Sequence, residues 1–384
     1  MARDTGTAEE SYRQAALERV IEEAGKRSAE FNAQKRLSPD MVELLKEAGI
    51  YRAMVARQFG GDEKSPSQFL NMIERISAAD GSTGWVASFG FSAVYLSALP
   101  LASLEQMYAN GPDVVFAGGI FPPQRAVAAH GGLSVSGRWG WGSGSTGADY
   151  IGVGIKEDGG GNGALPLIAV MPAAKVRIEE NWDVNGMKGT GSHDMVVDNV
   201  VVPREWTFIR GGPSSLSAPL YRYPTMALAA QVLTVVGLGI ARGAMDLFKE
   251  MAGGRTSITG SPALAERAGV QIDLAKTEAQ LRSARAFFYQ ISDEVYEALV
   301  RGEEIDMERR VLLRLASTHA ARVSADVTEA LYRISGTTGI FTAHPLAQKL
   351  QDALVIPQHA FMSDSTWQSA GRSLLGLDNF PGYP

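Results

Sequence analysis

The sequence has no cysteine among its 384 residues and only five histidines. The lack of cysteine excludes disulfides, thiolate catalysis and metal sites with sulfur ligands. The histidines are scattered without a His-x-x-x-His or Glu-x-x-His pair, so we expect no metal site. No run of lysine and arginine exceeds two residues, and 36 basic against 42 acidic side chains give a net charge of −6. We therefore expect no nucleic-acid partner.

A secretory signal and a membrane span are also missing. The opening residues, MARDTGTAEESYRQ, contain no apolar core of a signal peptide, so we expect a cytoplasmic protein. The segment TMALAAQVLTVVGLGIARGAM is apolar for roughly 17 residues from Thr225, which is short for a span. It contains Gln231 and ends at Arg242. We predict a helix buried in a bundle or an oligomer interface, and no membrane partner.

The sequence divides into three predicted domains that differ in residue pattern. Residues 1–111 read as helices, and in RLSPDMVELLKEAGIYR the N-cap is Ser38 and the first helical position is Pro39. Residues 112–212 alternate β-branched and aromatic residues with glycine-rich turns, which predicts seven or eight antiparallel strands in a small barrel or sandwich. Residues 213–384 hold four helical stretches, which predict an up-and-down four-helix bundle. The fold class is therefore α+β.

Glycines cluster where strands of the β region end, in FAGGIFP, GWGSGSTGADY and MKGTGSHD. They either serve turns or let a flat or phosphorylated cofactor approach the backbone N–H groups. Alternation in and after LSVSGRW predicts one strand face carrying Leu133, Val135, Trp139, Trp141 and Ser143. The two tryptophans belong either to the core or to a stacking surface. A serine nucleophile elbow at Ser143 is disfavoured, because an elbow needs a strand-to-helix turn.

The stretch VIPQHAFMSDSTW, near the C-terminus, places a histidine just after a helix-breaking proline, Pro357. Read as a helix, His359 shares a face with Val355, Ile356, Met362, Ser363 and Thr366. One reading is a core histidine beside a kink, and the other is a functional group.

The order of helices, β-domain and bundle resembles the acyl-CoA dehydrogenase fold over nearly the whole chain. The motif GTGS, followed by DMVVDNVVVP, resembles the β-domain signature of that family. The stretch RISGTTGIF resembles its bundle segment at the far end of the cofactor. Dehydrogenases of this family need a carboxylate base, usually a glutamate on the last long helix. Here that region reads QDALVIPQHAFMSDSTWQSAGRSLLG and contains no glutamate.

The same region resembles the oxygenase components of two-component flavin-dependent monooxygenases, the indole and p-hydroxyphenylacetate hydroxylase-like group. Asp352, Gln358–His359 and Ala370–Arg372 fit that pattern, whereas Gln351 replaces its usual arginine. DGSTGW and SGRWGWGSG resemble the same group. The resemblance implies that a separate NAD(P)H:flavin reductase supplies reduced flavin, FADH2 or FMNH2. The flavin would react with O2 to form a C4a-hydroperoxide that oxygenates an aromatic substrate.

The resemblance also implies roles for individual residues. His359 and Ser143 would be catalytic, with Ser143 bonded near flavin N5 and His359 facing the substrate. The flavin would be bound by Gly118, Gly119, Trp141, Ser143, Gly191, Ser192, Arg255, Gly336 and Gln358, with Arg255 on its phosphates. The substrate would be bound by Trp85, Phe89, Phe91, Tyr95, His359 and Met362.

One departure bears on the substrate. Phenol-hydroxylating relatives place a histidine several residues after the Gly-Trp of this motif, where Phe89, Phe91 and Ala93 stand here. An apolar pocket and an indole-like substrate are therefore expected. The alternatives are an acyl-CoA dehydrogenase or oxidase, an N- or S-monooxygenase of this fold, and a flavin-free descendant. The apolar circumference of residues 226–240 further predicts a homotetramer assembled through the C-terminal helices.

Overall fold

The structure, a computed structural model, describes residues 4–157, 166–253, 262–379 and 383. The chain divides into two compact units, which are treated separately below. The first unit comprises residues 1–69, 85–184 and 188–225. The second comprises residues 70–84, 185–187 and 226–384.

The N-terminal third is helical, as predicted. Its helices are α1 (Asp4–Gln34), α2 (Pro39–Glu47), α3 (Pro66–Ala79), α4 (Gly81–Ser88), α5 (Ser92–Leu96) and α6 (Leu101–Met107). Ser38 is the N-cap of α2, and Gly49 just beyond its end has a φ of 75°. The sequence SQFLNMIERISAADGSTGWVASFGFSAVYLSALP predicts two helices joined at residues 80–82, and α3 and α4 meet there, on either side of Asp80. The predicted second helix is not continuous, because a 3₁₀ turn at Phe89–Phe91 interrupts it.

Seven strands form one sheet in the described part of the chain. They are β1 (Phe116–Ala129), β2 (Gly132–Gly142), β3 (Tyr150–Glu157), β4 (Leu167–Pro172), β5 (Arg177–Glu179), β6 (His193–Val202) and β7 (Thr207–Ile209). Their order is β5-β6-β2-β1-β3-β4-β7, and β1 pairs with β3 in parallel. The prediction that all the strands are antiparallel was wrong, and the strand order does not close into the predicted barrel. After the β1–β2 hairpin, a second reversal returns β3 along the free side of β1, which makes that pair parallel.

The inner face of this sheet is a hydrophobic core. Leu133, Val135 and Trp139 are fully buried, and the indole of Trp139 donates to the carbonyl of Gly154 over 2.9 Å. The prediction that Trp141 shares this strand face was wrong, because Trp141 has a φ of 66° and its side chain is 71% exposed. The register with β6 shifts at this point, so the alternation that buries Trp139 does not continue to Trp141.

Five α-helices occupy the described part of the second unit after residue 226. They are α7 (Thr225–Gly253), α8 (Ala268–Val300), α9 (Met307–Ile334), α10 (Leu346–Val355) and α11 (Asp364–Leu374). The side chain of Asp306 caps α9 by accepting from the N–H of Arg309 over 2.8 Å. The last predicted stretch is divided into α10 and α11 by two 3₁₀ turns.

Helix α7 is the long apolar segment, and its burial confirms the prediction of a core helix. Of its most apolar window, 83% is buried within this single chain. Thr234 donates to the carbonyl of Ser317 over 3.1 Å, and a Cβ on Gly239 would lie 2.3 Å from the carbonyl oxygen of Glu74. Because one chain already covers α7, the apolar circumference of residues 226–240 does not require a partner subunit.

Candidate active site

Four side chains of the first unit form a buried hydrogen-bonded chain that runs from Trp85 through Ser143 and Ser192 to Thr190. The indole N–H of Trp85 donates to Ser143 Oγ over 3.1 Å. Ser143 Oγ lies 2.7 Å from Ser192 Oγ, which lies 2.7 Å from Thr190 Oγ1. All four residues are at least nine-tenths buried. The structure thus brings together Ser143 and Ser192, which were predicted to bind flavin, and Trp85, which was predicted to bind substrate.

Two residues with positive φ hold the hydrogen-bonded side chains in place. Gly144 has a φ of 70°, and its N–H donates to the carbonyl of Thr190 over 2.9 Å. Trp141 adopts a φ of 66°, which is rare for an aromatic residue, and its carbonyl accepts from the Ser143 N–H over 2.9 Å. Such outliers persist where the surroundings fix them, often at functional sites. Here the turn directs the Ser143 hydroxyl into the protein.

Counting donors shows which orientation of the hydroxyls would leave the Ser143 proton available. An indole N–H can only donate, so one lone pair of Ser143 Oγ is committed to Trp85. If Thr190 donates to Ser192, and Ser192 donates to Ser143, both lone pairs of Ser143 are occupied. Its own O–H is then available to a further acceptor. A polarised chain of this kind strengthens the terminal donor.

The surroundings of Ser143 fit a planar ligand with hydrogen-bonding ring atoms, as reduced flavin is. Trp141 exposes most of its indole and meets Trp182 edge-on, with ring centroids 5.5 Å apart. Ser145 is buried, and its hydroxyl has no hydrogen-bond partner among the described residues. The site therefore offers a stacking surface, a directed hydroxyl donor and a second hydroxyl that needs a partner.

The predicted flavin-binding glycines divide into two kinds. Added Cβ atoms would lie 2.6 Å from the carbonyl oxygen of Gly152 at Gly118, and 2.8 Å from a methyl of Met195 at Gly119. Packing within the sheet therefore explains both glycines without a cofactor. Gly191 precedes Ser192 with a φ of 56°, so it shapes the turn that presents the Ser192 hydroxyl.

Three of the aromatic side chains predicted to bind substrate form a row in the first unit. The rings of Phe89 and Phe91 are 6.4 Å apart, and those of Phe91 and Tyr95 are 5.0 Å apart with their planes at 64°. Arg210, which the sequence analysis did not single out, lies at the Tyr95 end of this row. No motif in IRGGPSS marks this arginine, because it meets Tyr95 across 115 positions of sequence.

His359 lies in the second unit and is not helical. Its backbone is extended, with φ −66° and ψ 140°, between 3₁₀ turns at Ile356–Gln358 and Ala360–Met362. The helical face predicted for it was wrong, because Pro357 ends the helix rather than only kinking it. The N–H of Phe361 donates to His359 Nδ1 over 3.2 Å. A ring nitrogen that accepts carries no proton, so the neutral imidazole carries its proton on Nε2.

An arginine fixes the turn that follows His359. The buried Arg314 stacks over the ring of Phe361 at 5.2 Å and donates to its carbonyl over 3.2 Å. Thr366 donates to the same carbonyl over 3.1 Å. The ring of Phe361 in turn packs 4.9 Å from the imidazole of His359. The histidine is therefore held by its neighbours at a defined orientation.

The remaining predicted residues are placed differently from one another. Met362 is fully buried, and its sulfur accepts from Thr234 of α7 over 3.5 Å. Gln358 is exposed, and so is Gly336, which has a φ of 65°. Arg255 lies outside the residues that the structure describes.

A buried charged cluster supports α10 in the second unit. Asp352 accepts from the N–H of Met187 over 2.6 Å and from Gln348 over 2.8 Å. Lys349 donates to the last carbonyls of α3. Burial, assisted by the charge of Asp80, raises the pKa of Asp352 to about 7, whereas burial lowers the pKa of Lys349. The cluster holds the backbone at Met187 and is a structural support.

Known proteins are similar to this chain over nearly its whole length. A family model described as acyl-CoA dehydrogenase, C-terminal domain, matches residues 231–364. The chain is 53% identical to an indole-3-acetate monooxygenase of Pseudomonas putida, over 93% of this chain and 92% of that protein. It is 49% identical, over the same shares, to a protein of that name from Acinetobacter baumannii. It is 26% identical to the oxygenase component of an FADH2-dependent resorcinol hydroxylase of Rhizobium, over 90% of this chain and 89% of that protein.

Solved structures show the same fold. XiaF from Streptomyces, in complex with FADH2 and glycerol, superposes with a TM-score of 0.90 at 22% identity, covering 99% of this chain and 100% of that one. The 3-HSA hydroxylase from Rhodococcus superposes with a TM-score of 0.89 at 25% identity, covering 96% and 98%.

Proposed function

The chain belongs to the flavin-dependent monooxygenases that share the acyl-CoA dehydrogenase fold, and from this membership we propose that it oxygenates an arylacetate such as indole-3-acetate. It is a reduced-flavin monooxygenase, the oxygenase component of a two-component system. The carboxylate comes from the names of the two most similar relatives reported above. The row of aromatic side chains formed by Phe89, Phe91 and Tyr95 supports an aromatic ring as the other half of the substrate.

We assign the flavin to the surface formed by Trp141 and Ser143. When bound, reduced flavin supplies the electrons that activate O2. Ser143 would donate a hydrogen bond near flavin N5 in the arrangement where Ser192 donates to Ser143, because Trp85 and Ser192 then occupy the lone pairs of its oxygen. Trp141 would cover the ring face and limit the access of water. Arg255 and Gly336 are assigned to the distal part of the cofactor, and Gln358 to its edge. The single observation that carries this assignment is the chain from Thr190 to Ser143.

His359 is assigned to the substrate. Because its Nδ1 accepts from the backbone, the ring presents Nε2–H as a donor and can move a proton at that atom. Its orientation is set by Phe361 and Arg314, so the donor is positioned before the substrate binds. Met362, whose N–H donates to the carbonyl of His359 over 2.8 Å, is assigned to the substrate as well.

A coupled assay tests the proposed function. The protein is mixed with an NAD(P)H:flavin reductase, flavin, O2 and indole-3-acetate, and oxygenated product and hydrogen peroxide are both quantified. We expect product to form only in the presence of the protein and to account for most of the O2 consumed. 4-Hydroxyphenylacetate serves as the comparison substrate. Oxygenation of the phenol in preference to the indole would contradict the assignment of an indole substrate.

We further propose a cytoplasmic homotetramer with domains at 1–111, 112–212 and 213–384, the last being a four-helix bundle. Exposed apolar side chains near the ends of the C-terminal helices support assembly there: Ile340, Phe341, Leu374, Leu375 and Leu377 are each at least half exposed. Apolar patches of this kind mark contacts between subunits. The reductase and the small aromatic substrate are the remaining partners.

A further inference from the structure

His193 is a buried histidine that connects two tryptophans of the first unit. It is the first residue of β6 and is only 1% exposed. Its backbone pairs with Gly142, the residue that follows Trp141 in β2. Its imidazole Nδ1 accepts from the backbone N–H of Trp182 over 3.0 Å. The rings of Trp141 and Trp182 meet edge-on, so a single residue fixes the backbone beside both rings.

Trp182 lies on residues 180–184, which follow β5 and form neither helix nor strand. Three further bonds of this segment join exposed groups: Glu180 with Arg36 over 2.6 Å, Asp183 with Lys35 over 2.9 Å, and Asn181 with the N–H of Asp194 over 3.0 Å. Exposed ion pairs contribute little to holding a segment. The bond from Trp182 ends on a buried ring, where water competes less for the acceptor. His193 therefore anchors the segment at Trp182 in a way that the surface bonds do not.

The bond to Trp182 requires the neutral form of the imidazole. Because Nδ1 accepts, it carries no proton, and the proton of the neutral ring is on Nε2. A proton taken up at Nδ1 would face the N–H of Trp182 as a second donor, and the bond would be lost. Burial lowers the pKa of His193, and the charges of Arg36 and Lys35 act in the same direction. The charge of Glu180 and the backbone of Lys35 oppose this shift. The bond is therefore intact at neutral pH and is lost only below the ordinary histidine pKa of about 6.5.

We propose that neutral His193 is a positioning residue, which holds Trp182 against Trp141 and thereby keeps both rings in place beside the reduced flavin. This inference rests on the proposed function, which assigns the flavin to the surface formed by Trp141 and Ser143. Protonation of His193 releases Trp182, and Trp141 then loses the ring that packs against it. His193 acts through Trp182 and not by contact with the flavin. The affinity for reduced flavin should therefore depend on the protonation of His193.

The test measures the Kd of reduced flavin by anaerobic titration without substrate, at about pH 8 and about pH 5, on either side of the ordinary histidine pKa. The probe is whichever of reduced FAD and reduced FMN binds more tightly. His193→Asn is the reference variant, because its amide oxygen replaces Nδ1 as an acceptor and does not titrate. The titration of the free flavin affects every variant alike, so it cancels in the ratio of two Kd values at one pH.

We expect wild type and His193→Asn to have similar Kd values at about pH 8, and wild type to bind about 5-fold more weakly at about pH 5. This is the scale of the net contribution of one hydrogen bond. His193→Gln places its amide oxygen near the position of Nε2 and leaves Trp182 without its acceptor. It should therefore bind more weakly than His193→Asn at both pH values. Trp182→Ala removes the ring itself and should also weaken binding at both.

His130→Asn is the matched control. His130 is an exposed histidine of the same unit, on the turn between β1 and β2, and its replacement should leave both Kd values unchanged. A ratio of wild type to His193→Asn that is the same at both pH values overturns the proposal, because a histidine with only a structural role would shift both alike. If His193→Asn does not fold, Trp182→Ala decides: a pH dependence of Kd equal to that of wild type overturns the proposal. A protein that binds neither reduced flavin at either pH refutes the proposed function instead.

Discussion

Replacing Ser143 with alanine removes one hydroxyl that has two buried partners, and the structure sets the expected cost. The indole N–H of Trp85 loses its acceptor at 3.1 Å, and Ser192 loses its partner at 2.7 Å. A buried group deprived of its hydrogen-bond partner costs about 1–3 kcal/mol. Since Ser192 keeps its bond to Thr190, we expect the lower half of this range for its share. The free energy of unfolding should fall by about 2 kcal/mol, seen as a Tm lower by a few degrees.

The functional effect of Ser143→Ala is expected in how the consumed O2 divides between oxygenated product and hydrogen peroxide. Without the hydroxyl, the flavin loses the donor that Ser143 presents, so O2 consumption should continue while transfer to the substrate fails more often. We expect hydrogen peroxide released per O2 consumed to rise several-fold with indole-3-acetate present. The measurement is the ratio of peroxide to oxygenated product in the coupled assay.

Ser97→Ala is the control for this experiment. Ser97 is equally buried, but its hydroxyl donates only to the local carbonyl of Val94 over 2.7 Å. Its loss should cost no more than about 1 kcal/mol and leave the peroxide ratio unchanged. A Ser143→Ala protein that is as stable and as well coupled as the parent would refute the proton assignment. An equal effect from Ser97→Ala would do the same.

Three further predictions concern the second unit. His359→Ala should lower oxygen transfer by about 10²–10⁴-fold. His359→Asn should restore stability but not oxygen transfer, because its amide oxygen can replace Nδ1 as the acceptor for the N–H of Phe361. Unchanged coupling in both variants would contradict the proposed role of His359, and His319→Ala is the control. The folded state keeps a proton on Asp352 between about pH 4 and 7, whereas the unfolded chain releases it. The contribution of this group to the free energy of unfolding therefore falls by about 4 kcal/mol as the pH rises through that window. Asp352→Asn should flatten that part of the Tm profile between pH 5 and 8, and an unchanged profile would argue against it. Light scattering at micromolar concentration should give a tetramer, and Leu374→Gln with Leu375→Gln should weaken it; a monomeric parent would remove the claim.

Much of the local structure was readable from the sequence. Pro39 starts a helix because its ring fixes the backbone angle that the first helical position needs, and Ser38 precedes it as the N-cap. The apolar run of α7 marked a buried helix because burial removes its large apolar surface from water. Ser143 and His359 were proposed as site residues from short motifs, and the helical conformation expected around His359 was wrong.

Only the tertiary structure decided which of these groups meet. Trp85 and Ser143 are 58 residues apart, and Tyr95 and Arg210 are 115 apart, so no local period relates them. The parallel pairing of β1 with β3 and the outward turn of Trp141 depend on how neighbouring strands share hydrogen bonds. Capping and periodicity act within a few residues, whereas strand order and buried contacts are chosen by the packing of the whole unit at once.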